Sequence, residues 1–486
     1  MEASNLQIYW HESQPVYSVC FQPSRAGLRP SGQKLFTAGG DNKVRVWSLN
    51  VQKKDHSDND PRGEVNAIEF ISSLQQHEQA VNVLRFNHKG DKLASAGDDG
   101  QIIIWEQESP DGARSFQTPL MTRDSDSEVQ DGSDPQEKWV ICRRLRHSSN
   151  SEIYDLCWSP CDQYIVVGCM DNCVRVFNVA TEQCILHSKE HNHYVQGVTW
   201  DPRNEFILSQ STDRSVNVYK LEFSTSGDEL TEMKLANKIV KCELPARSSV
   251  DRLTMDFTKS RSGYLFHNET LPSFFRRLTV SPCGTLFCIP AGIFKTQEAA
   301  ESANNLECHN SVYIYSRAAI KSNSNKPVAV LSFLKKPAIA ISFNSNLYTL
   351  EGGTNPYIDL PYKLIFAVAT TNEVLVYDTV SLKPLAVVGN LHYTPLTDLS
   401  WSEDGSLLMI SSTDGFCSYI AMGTSLFGSK LTNRTEVLKE LYADHLGNDR
   451  LTVPSATETV GTPRDDKNSI INILPVKKKI KHNATE

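Results

Sequence analysis

Apolar and polar residues alternate with a period of two along most of the chain, in short runs broken by Gly, Asp, Ser and Pro. That period predicts antiparallel strands rather than helices. The runs also repeat. Residues 36–47 read FTAGGDNKVRVW, 94–105 ASAGDDGQIIIW, 166–177 VVGCMDNCVRVF and 208–219 LSQSTDRSVNVY. Each holds a strand end, a turn with an acid (Asp41, Asp99, Asp171, Asp213) and an alternating strand closing on Trp47, Trp105, Phe177 or Tyr219. A second alternating run precedes each unit: Val16 to Phe21, the residues up to Phe86, Ile153 to Trp158 and Val195 to Trp200. Weaker copies start at Leu278, Ala338 and Leu396, with later strands at Val312 to Tyr315, Val374 to Tyr377 and Phe416 to Ile420.

Seven copies of one small sheet cannot each bury their own faces, but stacked around an axis they can. The expected fold is all-β: a seven-bladed β-propeller over residues 1–421, whose repeat pattern resembles the WD-repeat family, followed by a mostly disordered tail over 422–486. The last unit shows three strands, so the alternating segment Leu6 to Trp10 is expected to supply its outer strand and close the ring. Seven units of about 43 residues need roughly 300, so the 486-residue chain must carry insertions. Residues 107–137, with eight acids against two arginines, read as a disordered acidic loop. Smaller loops are expected at 50–63, 222–234, 296–310 and 345–358.

Composition narrows the function. A net charge of −8 argues against a surface built wholly to grip nucleic acid, and no sequence-specific nucleic-acid binding is expected. The longest apolar run, Leu364 to Ala369, is far below the roughly 20 residues of a membrane span. The start, MEASNLQIYWHES, lacks the basic and apolar segments of a secretory signal. The twelve cysteines then read as reduced thiols. Cys157, Cys161, Cys169 and Cys173 superficially resemble a zinc set, but strand alternation does not aim all four at one point. No metal, cofactor or catalytic residue is expected, since no P-loop, nucleophile elbow or HExxH occurs.

The turn acids Asp41, Asp99, Asp171, Asp213 and Asp414 are expected to cap tight turns through side chain to backbone hydrogen bonds. His77 before Trp105 and His147 before Phe177 fit the His-to-aromatic pairing of WD repeats, and His191, beside His193, fits their structural His–Ser/Thr–Asp network.

Several segments resemble the WD-repeat middle (B) subunit of chromatin assembly factor 1 in its fungal form. They are YWHESQPVYSV (9–19), LFTAGGDNKVRVW (35–47), LASAGDDGQIIIW (93–105), EIYDLCWSP (152–160), GYLFHNETLPSFFRRLTVSPCG (263–284) and LPYKLIFAVATTNEVLVYDT (360–379). The resemblance covers about residues 1–420. It implies a noncatalytic nuclear scaffold in a heterotrimeric histone chaperone that delivers newly made histones three and four to replicating DNA. The implied partners are the large and small subunits and those core histones directly or through the complex, with another histone chaperone as a further candidate. Two alternatives stay open: a subunit of the replication-independent histone regulator, and a substrate receptor of a ubiquitin ligase.

Two candidate surfaces follow. Tyr264, Phe266, Phe274, Phe275, Arg276 and Arg277 are aromatic and Arg side chains in a stretch the repeat does not require, and such residues are enriched at interface hot spots. The two arginines are expected to reach solvent and fork onto carboxylates of the large subunit. The alternative is an ordinary blade strand with Phe inside and Arg outside. In the tail, Lys477, Lys478, Lys479 and Lys481 form a candidate nuclear import signal or a solvated basic end. Ile480 is present but no Pro follows, which argues against direct docking of a second chaperone there.

Overall fold

The computed structural model describes the chain outside residues 25–32, 55–61, 109–136, 226, 228, 248–254, 298–305, 351–357, 359, 444–471 and 474–486. The core of the 107–137 insertion and the four tail lysines lie outside the described residues.

Seven antiparallel sheets form the seven blades. Blades one to four begin with the inner strands Val16–Phe21, Val81–Phe86, Ile153–Trp158 and Val195–Trp200, and each adds three further strands outward. Blade five begins with the short pair Thr279–Val280, blade six with Ala338–Phe343 and blade seven with Leu396–Trp401. Each inner strand touches that of the next blade, and the seventh touches the first, so the ring is closed. The alternation explains the packing. In the second strands, both faces are covered by neighbouring blades, and Tyr164–Cys169, Phe206–Ser211 and Leu407–Ser412 are buried throughout.

The ring closes through its N-terminus, but with different residues from those expected. The strand is Glu2–Leu6, paired antiparallel with Cys417–Ala421 (Glu2 opposite Ala421, Leu6 opposite Cys417). The apolar residues that suggested Leu6 to Trp10 pack instead. Trp10 is fully buried, 4.8 Å from the Trp47 ring, and its Nε1 donates to the Leu6 carbonyl. An outermost strand needs backbone pairing more than apolar side chains, so the polar EASNL serves.

At three of the four smaller expected loops, the described residues at both ends are strand. Lys43–Lys54 with Arg62–Gln75, Val216–Phe223 with Leu230–Ile239, and Leu286–Gln297 with Leu306–Ser316 are long hairpins rising out of their blades. A further hairpin, Lys241–Arg247 with Met255–Tyr264, stands between blades four and five. The segment after 421 is structured at first. Thr424–Phe427 and Arg434–Ala443 are helical, and Phe427 is buried against Tyr348 and Trp401. From further along, Asn472–Ile473 pairs with the outer strand Ala329–Leu334 of blade five.

Candidate interaction face

The upper face of the ring carries the blade-to-blade connections and the turns between second and third strands. Hydrogen-bond relays fix it. In blade two, Trp105 Nε1 donates to Ser95 Oγ (2.8 Å), Ser95 Oγ meets His77 Nε2 (2.7 Å) and His77 Nδ1 meets Asp99 Oδ2 (2.8 Å). A carboxylate only accepts, so Nδ1–H donates to the acid. The other oxygen of Asp99 accepts from the Gln101 N–H, which caps the turn as expected. Asp41, Asp213 and Asp414 likewise accept from the backbones of Lys43, Ser215 and Phe416. His191 joins Ser209 and Asp213, the network expected of it.

Two relays are not legible from the repeats alone: His11–Thr37–Trp47 with Asp41, and His392–Ser418 with Asp414. A signal exists for the second. The His-to-acid separation is 22 residues at His77/Asp99, His191/Asp213 and His392/Asp414. At His11 it is 30, stretched by extra residues in blade one. The His147 pairing is not formed: Asp171 is held by Arg175, and His147 Nδ1 meets Ser149.

The six candidate residues before blade five separate sharply. Phe266, Phe275, Arg276 and Arg277 are buried, whereas Tyr264 is 38% and Phe274 61% exposed. Tyr264 is sandwiched between the Arg214 guanidinium, 3.9 Å from its ring centre, and Lys241 Nζ at 4.4 Å.

Arg276 and Arg277 therefore do not face solvent. Their backbone runs between two blades: Arg276 N–H donates to the Gln196 carbonyl of blade four, and Arg277 N–H to Ile339 of blade six. Gly197 permits this approach, because a Cβ there would lie 1.9 Å from the Arg276 carbonyl oxygen. The Arg276 guanidinium donates to the carbonyls of Ser211, His267 and Asn268, pinning the preceding loop. Burial without a paired acid lowers its pKa to about 10.

Arg277 enters the centre of the ring. It ion-pairs with Asp398 of blade seven, donates to the Asn82 carbonyl of blade two (2.7 Å) and lies 3.9 Å from Asp155 of blade three. Arg85 completes the cluster, 2.9 Å from Asp398 and 3.8 Å from Asp155. Burial opposes ionisation of Asp398, but Arg277 and Arg85 overcome it and hold its pKa well below the carboxylate range. At Asp155 burial prevails over the same two cations and pushes the pKa up. Arg277 and Arg85 thus tie distant blades through the axis, and neither Arg276 nor Arg277 is free to fork onto a partner's carboxylates. Both candidate readings place the Arg side chains outside, and their burial corrects both. Nothing in the alternation distinguished a solvated Arg from one filling the axis.

Beside this seam lies a cleft of about 370 Å³ between blades three, four and five, lined by Tyr154, His193, Tyr194, Gln196, Glu269 and Phe274 among others. It is a concave feature next to the exposed Phe274. The four cysteines of blade three do not converge on it. Cys157 Sγ accepts from the Trp200 N–H, Cys161 is exposed, and Cys169 and Cys173 flank a turn.

The profile of the CAF1B/HIR1 β-propeller domain matches residues 1–425. The chain belongs to that family. It is 47% identical over 98% of its length, and 96% of the relative's, to the B subunit of chromatin assembly factor 1 from Saccharomyces cerevisiae. It is 34% identical to the protein of the same name from Schizosaccharomyces pombe, covering 88% of this chain and 89% of that one. Protein HIR1 of Yarrowia lipolytica is 25% identical, over 83% of this chain and 36% of its own length.

Proposed function

We propose that this family member is a noncatalytic scaffold subunit of a heterotrimeric histone chaperone that deposits newly made histones three and four on replicating DNA in the nucleus. The carrying observation is the 47% identity to a chromatin assembly factor 1 B subunit, maintained over 98% of the chain. The partners on this reading are the large and small subunits of that factor, with the histones held directly or through the complex. The fold supports it: a ring with relay-fixed turns offers a rigid face for protein contacts. The partner surface is assigned to the upper face around Phe274 and Tyr264, with Phe266, Phe275, Arg276 and Arg277 holding that segment from below. Lys477, Lys478, Lys479 and Lys481 serve as the import signal.

The test is replication-coupled nucleosome assembly by a reconstituted trimer. Supercoiling of newly replicated plasmid should drop when this chain is omitted and return when it is added back. Equal assembly by the two remaining subunits overturns the proposal.

A further inference from the structure

The cleft beside Phe274 has a chemistry opposite to the one the arginines had suggested. Its walls are aromatic: Tyr154, Tyr194 and Phe274, with the Tyr154 and Tyr194 ring centres 6.2 Å apart. Its floor holds Gln196, only 5% exposed. The Gln196 Nε2 donates to the Ser273 carbonyl, while Oε1 is buried with no hydrogen-bond partner. A buried acceptor left in this state is destabilising until something donates to it. The rim carries the exposed carboxylate of Glu269, and no Lys or Arg is among the lining residues. Aromatic faces, an unpaired carbonyl oxygen and a carboxylate together select a hydrogen-bond donor with positive charge.

We infer that this cleft is a docking site for a Lys or Arg side chain presented by a basic segment of a partner protein. The cation lies against the rings of Tyr154, Tyr194 and Phe274 and donates to Gln196 Oε1, with Glu269 closing over it. Behind Tyr154, Glu152 and Asp98 add negative potential. Burial, first, and a neighbouring carboxylate raise the pKa of each, against hydrogen bonds with Tyr154 and Asn82. Phosphate finds no Lys or Arg to pair with among the lining residues, so the occupant is a basic protein segment and not a nucleic-acid backbone. This inference rests on the reading of the upper face as a partner surface and names what that surface takes.

Fluorescence anisotropy on the purified full-length chain tests it without any other subunit, so its failure is separate from failure of the assembly assay. The probes are fluorescein-labelled alternating Gly-Arg and Gly-Lys decapeptides, with Gly-Gln as the neutral control. A basic probe should bind and the neutral one should not. Phe274→Ala and Glu269→Lys, both at exposed positions, should each weaken binding at least about five-fold with unchanged melting temperatures. Glu229→Lys, at an exposed site on the outer part of blade four, controls for general charge. Equal binding of the neutral probe, or losses no larger than those of Glu229→Lys, overturns the inference. Binding that appears only after residues 474–486 are removed would place the chain's own basic tail in the cleft and overturn the assignment to a partner.

Discussion

At the scale of single residues, the centre of the ring is held by charge rather than by apolar packing alone. Asp398 and Asp155 face Arg277 and Arg85, all in or near the axis. Removing one member of such a cluster leaves uncompensated buried charge, at a cost of about 3–5 kcal/mol. Arg277→Ala should therefore lower the chemical-denaturation midpoint strongly, and Arg276→Glu with Arg277→Glu should abolish soluble folding. A double reversal that melts like the parent would show both side chains to be solvent-facing. The histidine relays predict a pH response. Burial, the largest influence, pushes the pKa of His11 and of His191 below the ordinary 6.5, against the opposing pull of Asp41 and Asp213. The unfolded chain then takes up protons that the folded chain refuses. Stability contributed by these two residues is whole above about pH 6.5, falls as the pH drops below it, and levels off once the lowered folded values are passed. Melting temperature should fall from about pH 7.5 to about pH 5.5, and His11→Gln with His191→Gln should flatten that slope. An unchanged slope in the double variant would contradict neutral, buried imidazoles.

At the scale of elements, what could be read in advance followed from how each strand is buried. Inner and middle strands are covered on both faces, and their apolar alternation located all seven blades, including the faint ones at Leu278, Ala338 and Leu396. The edge strand Glu2–Leu6 is only partly buried, so it leaves no apolar pattern, and the apolar Leu6, Ile8 and Trp10 point to a strand a few residues too late. The hairpin extensions escape the pattern for a related reason: their polar sequences, such as EFSTSGDELTEMK at 222–234, look like loops to a hydrophobicity pattern. The candidate site was legible only in part. Phe274 stood out as an aromatic on a segment outside the repeat, but the cleft needs Tyr154, Tyr194 and Gln196 from two other blades, which no local pattern joins. The closing strand gives the element-scale prediction. Removing residues 1–10 takes away both the outer strand of blade seven and the Trp10 anchor against Trp47. The truncated chain should melt lower and aggregate through the exposed edge of Cys417–Ala421. Thermal melting with light scattering reads this directly, and parental behaviour would refute ring closure by the N-terminus.

At the scale of the whole molecule, the ring is a rigid frame whose blades are tied edge to edge, through the axis and through the N-terminal strand. The family match spans that frame, residues 1–425, and the identity to a chromatin assembly factor 1 B subunit extends across nearly the whole chain. A scaffold of this kind is defined by what assembles on it. The most direct measurement is therefore the composition of the native complex: affinity purification of the tagged full-length chain from nuclear extract, followed by size-exclusion chromatography and quantitative mass spectrometry. The expected result is one peak holding this chain with the large and small subunits of chromatin assembly factor 1 in equal amounts, together with histones three and four. Recovery instead with components of the replication-independent histone regulator, or with a cullin adaptor, and without the large subunit, would contradict the proposed role.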